Sequence, residues 1–208
     1  MSPEMLRLSD YVARFNTLFP DLSHLLPWQV VAAASEILSD KIKMLPDDYA
    51  VQGLVAIHKD ARVEEHVILK GPVIISAGCF IGAHAYIRNG VYIGEKTSIG
   101  PGCEVKSSFI MPGAALAHFN FAGDSIIGTG VNMEAGSIIA NHYNERTDKL
   151  IDVMLQGHRY ATGITKFGAL VGDNTRIGAN AVLSPGTILT PRSIVRRLEL
   201  VEQVTYPA

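Results

Sequence analysis

The sequence predicts a mainly β fold, a coil of short parallel strands built from six-residue repeats and preceded by a short helical segment. Two observations carry this. From Ile57 an aliphatic residue returns at every sixth position, through Val63, Leu69, Ile75, Ile81, Ile87, Ile93, Ile99 and Val105, then Met111 and Ala117. Four places after most of these stands a small or β-branched residue, as at Ala61, Val67, Val73, Cys79, Ala85, Val91, Thr97 and Cys103. A helix needs a period near 3.6 and a half-buried strand a period of two, and neither yields six. A coil with three flat sides per turn does, with the aliphatic pointing inward and a small residue at the corner. Successive turns then stack at about 4.8 Å, the spacing of paired strands.

The elements follow in order. In residues 1–50, Leu8, Tyr11, Val12 and Phe15 suit a short amphipathic helix that starts near Ser9 or Asp10. Pro27 opens a second helix running to about Ile42, with Val30, Val31, Ala34, Ile37 and Leu38 on one side. This segment is expected to cap the first turn of the coil, since open strand edges need cover. The alternative is that it docks a partner or another subunit. Residues 51–199 form the coil. Its register resumes at Ile127, Met133 and Ile139, and again at Val171, Ile177, Leu183 and Leu189. Between these blocks an inserted loop occupies about 142–165, and residues 200–208 form a tail. A loop of that length is usually functional or disordered, and here it is expected to cover an acceptor pocket.

Composition narrows the function. The 208 residues carry a formal net charge of −2 with no long run of either sign, which argues against nucleic acid as a partner. The two cysteines, Cys79 and Cys103, are too few for a disulfide scaffold and fit a reducing cytoplasm. The stretch LFPDLSHLLPWQVVAAA is interrupted by two prolines, Asp21 and His24, so no membrane span is expected. No secretory signal is evident. His66 and His84 lie eighteen residues apart and should stack at one corner, but the next equivalent position is Gly102. No metal site is therefore expected.

The regular repeat fails at ALAHFNFAGDS, residues 116–126, where it reads as a register slip of four residues that lifts His118 out of the wall. From here HFNFAGDSIIGTGVNMEAGSIIANHY, with IRNG and EVKSS upstream, resembles the acetyltransferase domain of the bifunctional glucosamine-1-phosphate acetyltransferase/UDP-N-acetylglucosamine pyrophosphorylase. The resemblance covers roughly residues 75–185. It implies a left-handed parallel β-helix, a homotrimer with sites between neighbouring coils, acetyl-CoA as co-substrate and a phosphorylated amino sugar or related sugar as acceptor. Residue by residue, His118 matches the general base, and Asn132 and Asn141 match asparagines that bind the sugar and orient the base. Arg88 and Lys106 match the basic residues that hold the sugar phosphate, and Lys166 matches a lysine past the loop. Ala135 stands where the family's backbone meets the coenzyme A arm, and Ala179 replaces a serine near the coenzyme.

The implied chemistry is sound. An amine must lose a proton to attack a thioester, and an imidazole accepts one near neutral pH, for about 10²- to 10⁴-fold. Arginine offers phosphate a planar fork and lysine a compact charge. The sequence departs from the family at Phe121, where a tyrosine stands, at Glu134, where a glycine stands, at His142, which intrudes between Asn141 and Tyr143, and in the longer loop. Residues 1–50 are too short for a pyrophosphorylase domain. Arg192, Arg196 and Arg197 either meet the coenzyme's phosphates or stay solvated. Two alternatives stand beside the acetyltransferase reading: a non-catalytic coil that binds a sugar phosphate or serves assembly, and an acyltransferase using another acyl donor on a UDP-sugar. A carbonic anhydrase on this coil would need three histidines around zinc, which these spacings do not supply.

Overall fold

A computed structural model describes residues 6–205. Residues 55–201 wind into a left-handed parallel β-helix with three faces. On the first face the inward residues are Ile57, Ile75, Ile93, Ile110, Ile127, Val171 and Leu189, paired turn on turn. The second face is a seven-stranded sheet running from Arg62–Val63 to Ile194–Val195. The third runs from Ile68–Lys70 to Leu200–Val201. Its strands join the first face because Tyr86–Ile93 and Glu104–Ile110 continue around the shared corner. The core is an unbroken column of aliphatic side chains, each worth about 1.5–3 kcal/mol when fully buried.

The register corrects the sequence reading in one respect. Ile93 pairs with Ile110, and Val105 with Ala122, seventeen residues on rather than eighteen. Ile110 and Leu116, not Met111 and Ala117, therefore point inward. There is no four-residue slip at His118. One residue is lost between Val105 and Ile110 and one more between Ala122 and Ile127, both at the corner joining the third and first faces. Serine hydroxyls fill the hydrogen-bond gaps left there. Ser108 Oγ donates to Lys106 O at 2.6 Å and accepts from Ser125 N–H at 3.0 Å. Ser125 Oγ in turn accepts from Ala169 N–H at 3.0 Å. Buried backbone groups need such partners, and a hydroxyl both donates and accepts.

The N-terminal segment is helical, in shorter pieces than expected: Leu8–Tyr11, Phe15–Leu18, Pro20–Leu22, Pro27–Ala32 and Ala34–Ile42. Pro27 starts its helix at the first position, where a missing N–H costs nothing, and Gln29 Oε1 accepts from Leu26 N–H at 2.8 Å. The segment lies along the flank of the coil, not over its first turn. The reason is the outward side of the first face, where Ile74, Tyr92, Phe109, Ile126, Leu170 and Ile188 form a second apolar surface. Phe19 meets Tyr92 and Phe109 edge-on, with ring centroids 5.0 and 5.1 Å apart. Asp173 fastens the layer by accepting from Ala13 N–H at 2.9 Å and from Thr129 N–H at 2.6 Å. The start of the coil is covered by Tyr49–Gln52, antiparallel to Val55–His58. Gly90, at φ +86°, admits the helical layer closely: a Cβ there would lie 2.7 Å from Ser35 N.

The insertion is an ordered hairpin. Asp152–Leu155 pairs antiparallel with His158–Ala161, and Ile151, Val153 and Phe167 join the apolar layer. Trp28 meets Phe167 at 5.9 Å, and Tyr143 Oη donates to Pro185 O at 3.1 Å. The two ends close where Phe167 N–H donates to Asn141 O at 3.1 Å. Most of the expected pocket cover thus packs against the first face, and only its returning end, Ile164 to Lys166, borders a cleft.

Candidate functional site

The predicted residues fall into two clusters at opposite edges of the third face. At the edge toward the first face, Arg88, Lys106 and Gly123 hold equivalent positions on successive turns. Arg88 Nε and Nη2 donate to Glu104 Oε1 at 3.0 and 2.8 Å. Lys106 Nζ lies 2.8 Å from Asp124 Oδ2, with the side chains 12% and 9% exposed. Asn141 Nδ2 donates to the same Asp124 oxygen. Asp124 therefore fixes both a cation and an amide. Phe121 flanks it: a Cβ on Gly123 would lie 2.7 Å from Asn141 Nδ2 and 2.9 Å from the Phe121 ring. Lys166 is exposed and makes no ion pair among the described residues. It shares with Asp124 the lining of a cleft of about 490 Å³.

The other edge carries His118, which is exposed. Gly136 N–H donates to His118 O at 2.9 Å, and Asn180 N–H to Ala135 O at 3.0 Å. His118, Ala135 and Ala179 thus occupy one corner slot on three successive turns. Beneath them Asn120, 2% exposed, donates to Glu134 O at 2.7 Å and to Ser137 Oγ at 2.8 Å, which makes the corner rigid. On preceding turns this slot holds Ala83 and Pro101; His66 and His84 stand one residue further along the corner, in register with Phe119, and their rings stack at 5.3 Å and 7°. Among the described residues no group of three or more His, Cys, Asp or Glu is arranged to hold a metal.

Around this corner, on the second face, Asn132 and Glu134 line a cleft of about 510 Å³ with Arg176, Arg196 and Arg197. Arg197 Nε and Nη2 donate to Glu134 Oε2 and Oε1, both at 2.8 Å, and Ala179 N–H donates to Oε2 at 2.9 Å. The Arg197 guanidinium, aided by that N–H, holds the Glu134 carboxyl below its ordinary range. Arg192 is elsewhere: its N–H donates to Asp173 O at the corner between the first and second faces. The thiols supply no nucleophile. Cys79 and Cys103 are buried, and burial pushes Cys79 up to about 11, so the thiolate needed for attack is scarce.

Against known proteins, residues 69–204 match the family described as the GMPPB C-terminal domain. The chain belongs to that family. The bifunctional sugar-1-phosphate nucleotidylyltransferase/acetyltransferase of Sulfurisphaera tokodaii is 34% identical over 166 residues, covering 77% of this chain and 41% of the relative. The bifunctional protein GlmU of Methanococcus vannielii is 32% identical over 203 residues, covering 89% and 44%. The chain therefore spans less than half the length of these curated relatives. Among solved structures, the acetyltransferase domain of PglB from Neisseria gonorrhoeae FA1090, in complex with acetyl coenzyme A, matches at 17% identity. Its TM-score is 0.40, over 68% of this chain and 51% of that one.

The GMPPB C-terminal match contains every predicted site residue, from Arg88 to Ala179, whereas the helical layer precedes it. Three site residues escaped the sequence reading. Asp124 and Glu104 carry no periodic signal of their own: Asp124 lies eighteen residues after Lys106 and Glu104 sixteen after Arg88, each beside its cation's place on the next turn. Arg176 shares its register with Asn132 across the inserted loop, a link visible only when the whole insertion is left out of the count.

Proposed function

We propose that the chain is an acyltransferase that moves an acetyl group from acetyl-CoA to a phosphorylated amino sugar or related sugar. The observation that carries this is the corner slot shared by His118, Ala135 and Ala179, which brings an imidazole alongside backbone positions suited to a coenzyme arm. In the reaction the acceptor amine attacks the thioester carbonyl, His118 takes the proton lost by nitrogen, and the C–S bond breaks to release coenzyme A. A corner N–H directed at the carbonyl oxygen would stabilise the oxyanion. Arg88, Lys106 and Lys166 hold the sugar phosphate, while Asn141 and Asn132 bind the sugar.

Within one chain the His118 slot and the Lys106–Asp124–Asn141 cluster are a face apart, so a neighbouring copy completes the site and the working unit is a homotrimer. The first face is already covered. The third face exposes an outward apolar row at Ile68, Ile138 and Leu200, 53%, 38% and 60% exposed, suited to such a neighbour. The free, buried cysteines support a cytoplasmic setting, and no helix among the described residues is long and apolar enough to cross a membrane.

The test is thiol release from acetyl-CoA with a panel of amino-sugar phosphates and sugar nucleotides, on protein whose mass is measured by light scattering. Turnover with one acceptor and a mass three times 22.5 kDa are expected. Silence across the panel, with no coenzyme A binding by calorimetry, would replace this reading with a non-catalytic sugar-phosphate-binding coil.

One observation favours that second reading. Glu134 occupies the Ala179 N–H and holds Arg197, both of which a coenzyme would use. Replacing Glu134 by glycine is therefore expected to tighten coenzyme A binding about three- to tenfold, in line with the release of a charge-assisted hydrogen bond. An unchanged affinity would mean that the carboxylate does not stand in the coenzyme's way.

A further inference from the structure

The cleft beside Asp124 is not made by the coil alone. One wall is the turn of helical layer from Val31 to Ser35, the opposite wall is the corner Asn89, Ser107 and Asp124, and Thr165 and Lys166 close one end. Asn89, Ser107 and Asp124 follow the equivalent residues Arg88, Lys106 and Gly123, and all three have positive φ, at 61°, 47° and 47°. Asparagine and aspartate tolerate that region, whereas serine adopts it less readily. Non-glycine residues held there on three successive turns form a row of short polar side chains bordering the cleft. Asp124 Oδ2 is taken by Lys106 and Asn141, which leaves Oδ1 to accept from a ligand.

We propose that the N-terminal helical layer is part of the acceptor site and that this cleft receives the hydroxyl-bearing ring of a monosaccharide. The inference rests on the sugar-acyltransferase reading and extends it. Three features of the lining select a sugar. Short hydroxyl and amide groups at Ser35, Asn89, Ser107 and Thr165 match the alternating donors and acceptors of ring hydroxyls, and a carboxylate accepts from two at once. Ile164, partly exposed, offers apolar surface to the C–H side of the ring. Among the described residues no aromatic side chain lines the cleft, so none of them stacks on a nucleobase there, and the base of a sugar nucleotide is directed elsewhere. At about 490 Å³ the space falls within the usual range of small-molecule sites, roughly 300–1,000 Å³. Lys166 at its end meets the substituent phosphate as a point charge. The helical layer precedes the family match, so this wall adds to the acceptor site from outside the family's matched domain.

The test fills the cleft from the helical side. Ala32 is exposed and borders it, so Ala32→Trp is expected to keep the fold while occluding the ring. Asn89→Gly is the second variant: it retains the left-handed backbone and removes only the amide. Calorimetry of wild type and variants with glucosamine 1-phosphate, glucosamine 6-phosphate and UDP-glucosamine is read beside KM for sugar and for acetyl-CoA. The expected result is that Ala32→Trp weakens the sugar that wild type binds at least tenfold, and Asn89→Gly about three- to tenfold, with KM for acetyl-CoA unchanged. Wild-type binding and turnover with no effect of either variant would overturn the role of the helical layer and leave the acyltransferase reading standing. If wild type binds none of the three sugars, both fall together.

Discussion

Replacing His118 by alanine is expected to lower kcat by about 10²- to 10⁴-fold, the usual contribution of a positioned general base. The fold should be unaffected. His118 is exposed, its carbonyl keeps the bond from Gly136 N–H whatever the side chain, and the buried Asn120 beneath it is untouched. Substitutions at such surface positions usually change stability by no more than about 0.5 kcal/mol. The measurement pairs thiol release under saturating acetyl-CoA and sugar with a thermal melt. A fall in kcat with unchanged sugar affinity assigns the imidazole to the chemical step. A loss below about tenfold would remove His118 from the proton transfer. Acceptor deprotonation would then have to come from solvent or from a residue of a neighbouring copy.

The exposed setting of His118 also shows what the sequence could and could not convey. The six-residue period from Ile57 to Val105 is legible because every turn there has eighteen residues and each inward slot takes an aliphatic. The reading lost register at Met111 because Ser108 replaces a missing backbone partner, and a side chain that substitutes for a peptide group leaves no periodic trace. An apparent break at His118 was the consequence, although the true deletions lie at the far corner of the same face. The helical layer's docking place was written in the chain as well. From Ile75 onward the residue before each inward aliphatic of the first face is large and apolar, as Tyr92 before Ile93 and Phe109 before Ile110, while Asn132 and Arg176 hold that place on the second. A period of six alone averages over the three faces and hides the difference. Ion pairs were the least legible. Glu134 and Arg197 are sixty-three residues apart, and only the stacking of turns across the insertion brings them to 2.8 Å.

Asp124 is where fold and site depend on one side chain, and its removal should cost most. Asp124→Ala leaves the Lys106 ammonium, 12% exposed, without its counter-charge and frees the Asn141 amide. Breaking a buried pair by deleting one partner typically costs about 3–5 kcal/mol, and alanine at φ 47° adds about 1–2 kcal/mol of left-handed strain. A loss of about 3 kcal/mol or more in urea-unfolding free energy is therefore expected. Asp124→Asn separates the contributions. It suits the left-handed backbone and keeps an acceptor for Asn141 while surrendering the charge, so it should retain more than half of that stability. Combining each variant with Lys106→Met then measures the pair itself: if the ammonium's isolation dominates, the second substitution recovers part of the loss in the alanine background. A cost for Asp124→Ala within about 1 kcal/mol of wild type would show that water solvates Lys106 well enough without a partner. In that case Lys106 meets the phosphate without needing its carboxylate partner, and Asp124 would matter to the sugar alone.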